Sequence, residues 1–320
     1  MNLKDVLEAK ETISGFINRT PLVRSRFFGE ICSEEVYLKL ENLQVANSFK
    51  IRGALNKMLH LTKEEMRRGI VTASAGNHAQ AVAVGAEKLK LPVKIVIPKT
   101  TPTIKVNKIR QHNVEPMLYG GIYDEAEKKA IDLAKEEGMT YLSPYNDRHV
   151  IAGQGTIGLE ILDALPNVNM IIVPVGGGGL ISGIGLSVKN RRPGVKIIGV
   201  QSEASPVMYE SLKAGKLVDT ELRQSIADGL YGGVEKGSMT FEMIQRYVDD
   251  LWLVEETTIR KAIYLLWKEE EQVVEGSGAV AVAPLFENKS TFTGKTVAAV
   301  ISGGNIEVEL FRNIVSSEGS

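Results

Sequence analysis

IIVPVGGGGLISG, residues 171 to 183, is the stretch on which the reading of the chain turns. Four of its first five residues are Ile or Val, a composition that suits a buried strand. Four consecutive glycines come next, Gly176 to Gly179, and then a segment compatible with a helix. Glycine turns the chain sharply and lets an anion reach backbone N–H groups with no Cβ in the way. The N-terminus of the next helix aims its dipole and its unpaired N–H groups at the same spot. A tight turn between packed elements needs one glycine, whereas four in a row are costly in chain entropy. The run therefore reads as a cradle for a phosphate that requires no Lys or Arg.

The same alternation extends in both directions. Val93 to Pro98, Lys196 to Gln201 and Thr296 to Ile301 read as further buried strands. Helical stripes lie between them: Ile122, Ala126, Ala130 and Leu133 in 122–137, and Ile259, Ile263, Leu266 and Trp267 in 257–270. Residues 1–15 read as an amphipathic helix. Strands alternating with helices predict an α/β fold of two lobes, each a mostly parallel twisted sheet flanked by helices. Ligands in such folds sit beyond the C-terminal strand ends, which places a cofactor in the cleft between the lobes. Three more glycine-bearing stretches, TASAGNHAQ (72–80), AGQGTIG (152–158) and ISGGN (301–305), are read as strand-to-helix loops. The grouping predicts a small α/β domain at 47–146 and a large one formed by 1–46 and 147–320.

Composition narrows the function. Among 320 residues, 38 basic and 39 acidic side chains leave a net charge of −1. That balance offers no electrostatic footprint for nucleic acid or for an anionic membrane. One cysteine, Cys32, excludes a disulfide within the chain and a cysteine-based zinc cage. No leader and no apolar run of membrane-spanning length is evident, so a cytoplasmic protein is expected. His60, His78, His112 and His149 lack metal-ligand spacing, and no GxSxG occurs. Gly177-x-Gly179 is followed by Ser182 where a dinucleotide fingerprint wants a third Gly or Ala. A single-phosphate cofactor is therefore preferred. An NAD(P)-dependent oxidoreductase, with Glu203 as its acidic residue, and a non-catalytic amino-acid-binding module are the weaker readings.

The chemistry centres on SFKIRGA, residues 48–54. Lys50 lies between Phe49 and Ile51, and an amine among apolar groups loses hydration, which lowers its pKa and suits it to Schiff-base formation. SFKIRGA, SAGNHAQA, GGGGL and SGGN, in that order, resemble the pyridoxal-phosphate enzymes of the tryptophan-synthase-β-like fold (fold type II). Within them the chain looks most like the threonine/serine dehydratases, from Arg19 to Asn305. The resemblance implies that pyridoxal 5'-phosphate forms an internal aldimine with Lys50 beside Phe49. It also implies that Asn77 meets the ring oxygen and that Gly176, Gly177, Gly178, Gly179 and the Leu180 amide hold the phosphate. Ser302 is expected to meet the ring nitrogen. The loop Ser74, Ala75, Gly76, Asn77, His78 is expected to take the substrate carboxylate. Asn77 as a helix cap and Ser302 as a turn partner are the structural alternatives. Asp228, Gly229 and Glu275 match positions near the cofactor edge without an assured role.

The reaction implied by the resemblance is α,β-elimination from L-threonine or L-serine, giving 2-oxobutanoate or pyruvate and ammonia. Serine racemase, 3-hydroxyaspartate dehydratase and β-replacement by a thiol are the alternatives. Serine racemases carry a second base just before Gly76, where this chain has Ala75. Gln201 and Val207 stand where an acidic divalent-cation site would be, so no metal is expected. The sequence runs 15 residues past Asn305. That length resembles the shorter, catabolic members, in which a homodimer or homotetramer and a nucleotide effector are expected.

Overall fold

The computed structural model describes residues 1–32, 34–287 and 289–319. Among these, ten strands occur: β1 Leu22–Ser25, β2 Glu35–Leu40, β3 Ile70–Ala73, β4 Val93–Ile97, β5 Met117–Leu118, β6 Thr140–Tyr141, β7 Met170–Pro174, β8 Lys196–Ser202, β9 Asp250–Val254 and β10 Thr296–Ile301. They form a six-stranded sheet, β1-β2-β10-β7-β8-β9, and a four-stranded sheet, β5-β4-β3-β6. Only the β1–β2 pair is antiparallel. The mixed α/β architecture with largely parallel sheets is the expected one.

β7 and β10 are buried along their whole lengths. They are parallel neighbours, with Val297 opposite Met170 and Ala299 opposite Ile172. Their C-terminal ends therefore open side by side, one into Gly176–Gly179 and the other into Ser302–Asn305. In the smaller sheet β3 ends at Ala73, and a helix begins at Asn77 after three loop residues. Topology thus brings three glycine-bearing loops from distant parts of the chain to the strand ends.

AGQGTIG is not a loop. Residues 152–158 lie inside the 17-residue helix Arg148–Ala164. Its glycines serve close packing: a Cβ on Gly153 would sit 2.5 Å from the Arg52 carbonyl oxygen, and one on Gly155 would sit 2.8 Å from that of Gly183. Their missing side chains let three helices cross at backbone contact. Two stripe residues also differ from expectation. Ile122 precedes its helix, Tyr123–Glu137, and is 60% exposed. Trp267 is 38% exposed and packs edge-on to Phe311, while Ile259, Ile263 and Leu266 face the core.

Beneath the lysine-bearing helix, Lys50–Leu59, lies a buried ionic cluster. Arg52 donates to Glu41 through Nε and Nη2, each at 2.8 Å, and to Glu160 through Nη1 at 2.6 Å. Lys39 Nζ donates to Glu160 at 2.5 Å and to the Thr20 carbonyl at 2.7 Å. The cluster ties the helix carrying Lys50 to β2 and to Arg148–Ala164. Removing one charge leaves the others buried and unmatched, a loss of about 3–5 kcal/mol. Arg52→Ala should therefore lower the unfolding free energy by that much in a urea titration. An unchanged midpoint would mean that the cluster contributes nothing.

Candidate active site

Lys50 opens its helix, and its position is fixed by the chain just before it. Phe49 N–H donates to the Ser302 carbonyl at 3.1 Å, and Ser48 forms a β-bridge with Gly303. The Lys50 side chain runs inward rather than into solvent. Its Nζ lies 5.2 Å from the Phe49 ring centroid and donates to the Pro144 carbonyl at 3.0 Å. Burial pushes the amine down to about 8 from its ordinary 10.5, against a smaller upward pull from the Glu275 carboxylate.

The next residue after that carbonyl joins the lysine to the glycine loop. The Tyr145 ring lies against Gly177, where a Cβ would sit 2.5 Å from it, and the Tyr145 backbone and Cβ lie against Gly179. Tyr145 Oη accepts from Glu235 N–H at 2.9 Å, and Asn146 Oδ1 accepts from Met239 N–H at 3.0 Å. Gly178 takes φ 87°, a left-handed turn open to glycine, and the helix Gly179–Arg191 begins there. Among the described residues, the N–H groups of Gly176 through Ile181 find no acceptor, the first one paired after them being Ser182. Six successive free donors at a helix N-terminus are an arrangement that can receive an anion.

A second set of free donors lies at the start of the helix Asn77–Leu89. Among the described residues, the N–H groups of Ala75, Asn77 and His78 also lack an acceptor. Ser74 Oγ accepts from Gly76 N–H at 3.2 Å and orders this loop. His78 is buried, and its Nε2 donates to the Leu142 carbonyl at 3.1 Å. Burial and the charge of Lys50 hold its pKa down to about 3, so the imidazole is neutral.

Asn77 is not the helix cap, a place taken by Gly76: its Nδ2 donates to Glu275 Oε1 at 2.5 Å, and its Oδ1 accepts from Asn305 Nδ2 at 2.7 Å. Burial, then repulsion from Asp228, raises Glu275 to about 7. Asp228 is itself paired with Lys105 at 2.8 Å. Ser302 is buried, and its hydroxyl donates to the Ser277 carbonyl at 3.2 Å. Ser277 Oγ in turn accepts from Gly229 N–H at 2.9 Å.

Contacts thus draw several of these residues together: Phe49 pairs with Ser302, Lys50 reaches the Pro144 carbonyl next to the ring that lies against Gly177, and Asn77 meets Glu275 and Asn305. Sequence reasoning gave no part to Pro144, Tyr145 or the Asn305 side chain. The segment SPYND carries only ordinary turn chemistry, and nothing in it announces an aromatic wall. The residues suit pyridoxal phosphate: bare amides with no Cβ match a phosphate, and a desolvated amine matches an aldehyde.

The family model for pyridoxal-phosphate-dependent enzymes matches residues 13–303. The chain belongs to this family. Among its relatives, the L-threonine ammonia-lyase of Thermotoga maritima is 46% identical over 317 residues, covering 99% of this chain and 78% of the relative. Threonine deaminase isoform 2 of Solanum lycopersicum, in its processed form, superposes with a TM-score of 0.93 at 35% identity, covering 99% and 87%. Maize serine racemase superposes with a TM-score of 0.93 at 31% identity, covering 99% and 97%. Among the described residues, no helix is long and apolar enough to cross a membrane.

The depressed amine makes a kinetic prediction. Only neutral Lys50 attacks an aldehyde. At pH 7 a group with pKa 8 is neutral in about a tenth of molecules, against about three in ten thousand for an ordinary lysine. Capture of pyridoxal phosphate by the cofactor-free protein, followed by absorbance, should rise with pH to a plateau with a midpoint near 8. Glu275→Gln removes the charge that holds the proton on Lys50, so the midpoint should fall. A midpoint above 10 would contradict the burial of the amine.

Proposed function

We propose that this chain is a threonine ammonia-lyase that eliminates water from L-threonine, and from L-serine, releasing an enamine whose imine tautomer takes water back to give 2-oxobutanoate or pyruvate and ammonia. The observation that carries the reading is the Lys50 amine, lowered to about 8 and held one residue from a ring wall on the free-amide loop. It occurs in a chain 46% identical to an L-threonine ammonia-lyase.

Pyridoxal phosphate, when bound, supplies the electron sink that makes the substrate Cα–H bond acidic. The amides of Gly176–Gly179 and Leu180 would hold its phosphate, with Asn77 to receive its ring oxygen and Phe49 beside the ring. Ser302 Oγ would offer the ring nitrogen a neutral hydroxyl. It places no fixed negative charge there, which favours loss of a β-hydroxyl over transamination. The amides of Ala75, Asn77 and His78, with Ser74, receive the substrate carboxylate and so orient the Cα–H bond. Lys50 Nζ takes the Cα proton, because its lowered pKa leaves part of it neutral at physiological pH. His78 stays neutral and orders the loop through Leu142.

The second reading is a serine racemase, favoured by the superposition on the maize enzyme. Ala75 weighs against it, because a methyl group moves no proton on the opposite face of Cα. A 3-hydroxyaspartate dehydratase is separated by substrate alone. Residues 47–146 contain the four-stranded sheet and 1–46 with 147–320 the six-stranded one, which supports a small and a large domain divided there. Self-association of a cytoplasmic enzyme belongs to the same reading. Leu118, 48% exposed in the edge strand β5, and exposed Ile122, at the start of the following helix, offer apolar side chains that suit a subunit contact.

Purified protein should be yellow and should release 2-oxo acid and ammonia from L-threonine, whereas Lys50→Ala should lose both colour and turnover. A colourless wild type, or oxo acid from 3-hydroxyaspartate alone, would overturn the assignment. Ala75→Ser restores a hydroxyl beside Gly76 and should raise D-serine formation from L-serine, read by chiral chromatography. No gain would remove the argument from that position.

A further inference from the structure

Asn305 lies in the loop after β10, three residues past Ser302. Its side-chain amide gives its two hydrogens to two different segments. Nδ2 donates to the Ala46 carbonyl at 2.9 Å and to Asn77 Oδ1 at 2.7 Å, while Oδ1 accepts from Asn47 Nδ2 at 3.4 Å. The neighbouring Gly304 N–H donates to the Asn47 carbonyl at 2.9 Å. Ala46 and Asn47 occupy left-handed backbone, φ 62° and 52°, a region that a residue with a Cβ holds only when its surroundings insist. This turn delivers the chain to Ser48, Phe49 and Lys50.

The second hydrogen bond settles a different question. Asn77 can sit either way round, since its oxygen and nitrogen ends are alike in shape. Asn305 offers only a donor at Asn77, so the Asn77 oxygen faces it. Nδ2 then points the other way, with one hydrogen on Glu275 and one to spare. Turned over, Asn77 would set NH₂ against NH₂.

We infer that Asn305 is a positioning residue with two tasks: it holds the left-handed turn ahead of Lys50, and it fixes the orientation in which Asn77 offers its spare hydrogen to the cofactor ring. The inference rests on the reading of Asn77 as the partner of the ring oxygen. Asn305 itself touches neither substrate nor cofactor. It acts through the two segments it joins.

The test uses cofactor-loaded wild type, Asn305→Ala, Asn305→Asp, Asn77→Ala and the double variant Asn77→Ala/Asn305→Ala. The readings are the absorption maximum of bound pyridoxal phosphate, its dissociation constant, kcat, KM for L-threonine and the unfolding midpoint. Asn305→Asp keeps the size and the acceptor toward Asn47 but sets an oxygen against Asn77 Oδ1 while Glu275 still draws Nδ2 the other way, so Asn77 should lose its fixed orientation in a folded protein. Both single variants at 305 should shift the absorption maximum and weaken cofactor binding about tenfold, with kcat falling more than KM rises. The double variant should bind cofactor more tightly than the two single losses multiplied would give, because the share of the Asn305 effect that passes through Asn77 is already lost in Asn77→Ala and only the share through the turn remains. Should Asn305→Ala fail to fold, Asn305→Asp carries the test. Wild-type absorption and cofactor affinity in Asn305→Asp, or affinity losses that multiply in the double variant, would overturn the inference. A wild type with no visible band would instead overturn the site reading on which it rests.

Discussion

A backbone N–H without an acceptor is costly to bury, and native folds almost always pair it. Gly176 to Ile181 leave six in succession, at the point where β7 gives way to a helix. Three of them, at Gly179, Leu180 and Ile181, are the first-turn donors that every helix leaves free, and with the three glycines ahead of them they suit an anion. Much of the surrounding structure keeps that loop open. Its glycines admit the Tyr145 ring at contact distance, and β7 is flanked by β10 and β8, so neighbouring loops open at the same edge. The lysine arrives from another direction, one residue before that ring, through the Pro144 carbonyl.

The two sheets supply different halves of the chemistry. Asn77 and the amides beside it come after β3 of the smaller sheet, whereas the glycine loop and Ser302 come after β7 and β10 of the larger. Lys50 belongs to a helix bound to both. Arg52 holds it to Glu41 and Glu160, and the Ser48–Gly303 bridge holds its start to the loop after β10. A buried ion network is a poor source of net stability, but its directional bonds allow few alternative positions for the helix. Register between the lobes is therefore set by charge and backbone pairing as well as by apolar packing.

The four strands read from Val- and Ile-rich runs are present, because such runs have few other stable states in a buried sheet. Short strands such as β5 and β6, two residues each, leave no periodicity to read. AGQGTIG went wrong for a physical reason. Glycine marks both a sharp turn and a close helix crossing, and only the partner at Gly183 distinguishes them. The lysine and the glycine run stand out in the sequence because desolvated amines and Cβ-free loops have few other uses, whereas Asn77 stands out only through the resemblance. Tyr145 and Asn305 were not, because an aromatic ring or an amide becomes a wall or a clamp only through what folds against it.

Lys50 and Glu275 show how the site weighs on the fold. The ammonium of Lys50 is disfavoured by burial, so its folded pKa, about 8, lies below the ordinary 10.5. That group favours the fold above 10.5, and the advantage is lost as pH falls through 8. Glu275 is raised from 4.5 to about 7, so its contribution is full below 4.5 and lost as pH rises through 7. The two windows do not overlap. Near neutrality neither group stabilises the fold, and both hold charges that burial opposes. Surface residues would do better for stability alone. Their retention within reach of each other's charge, with Glu275 bonded to Asn77, is the arrangement expected where proton transfer has been placed ahead of stability.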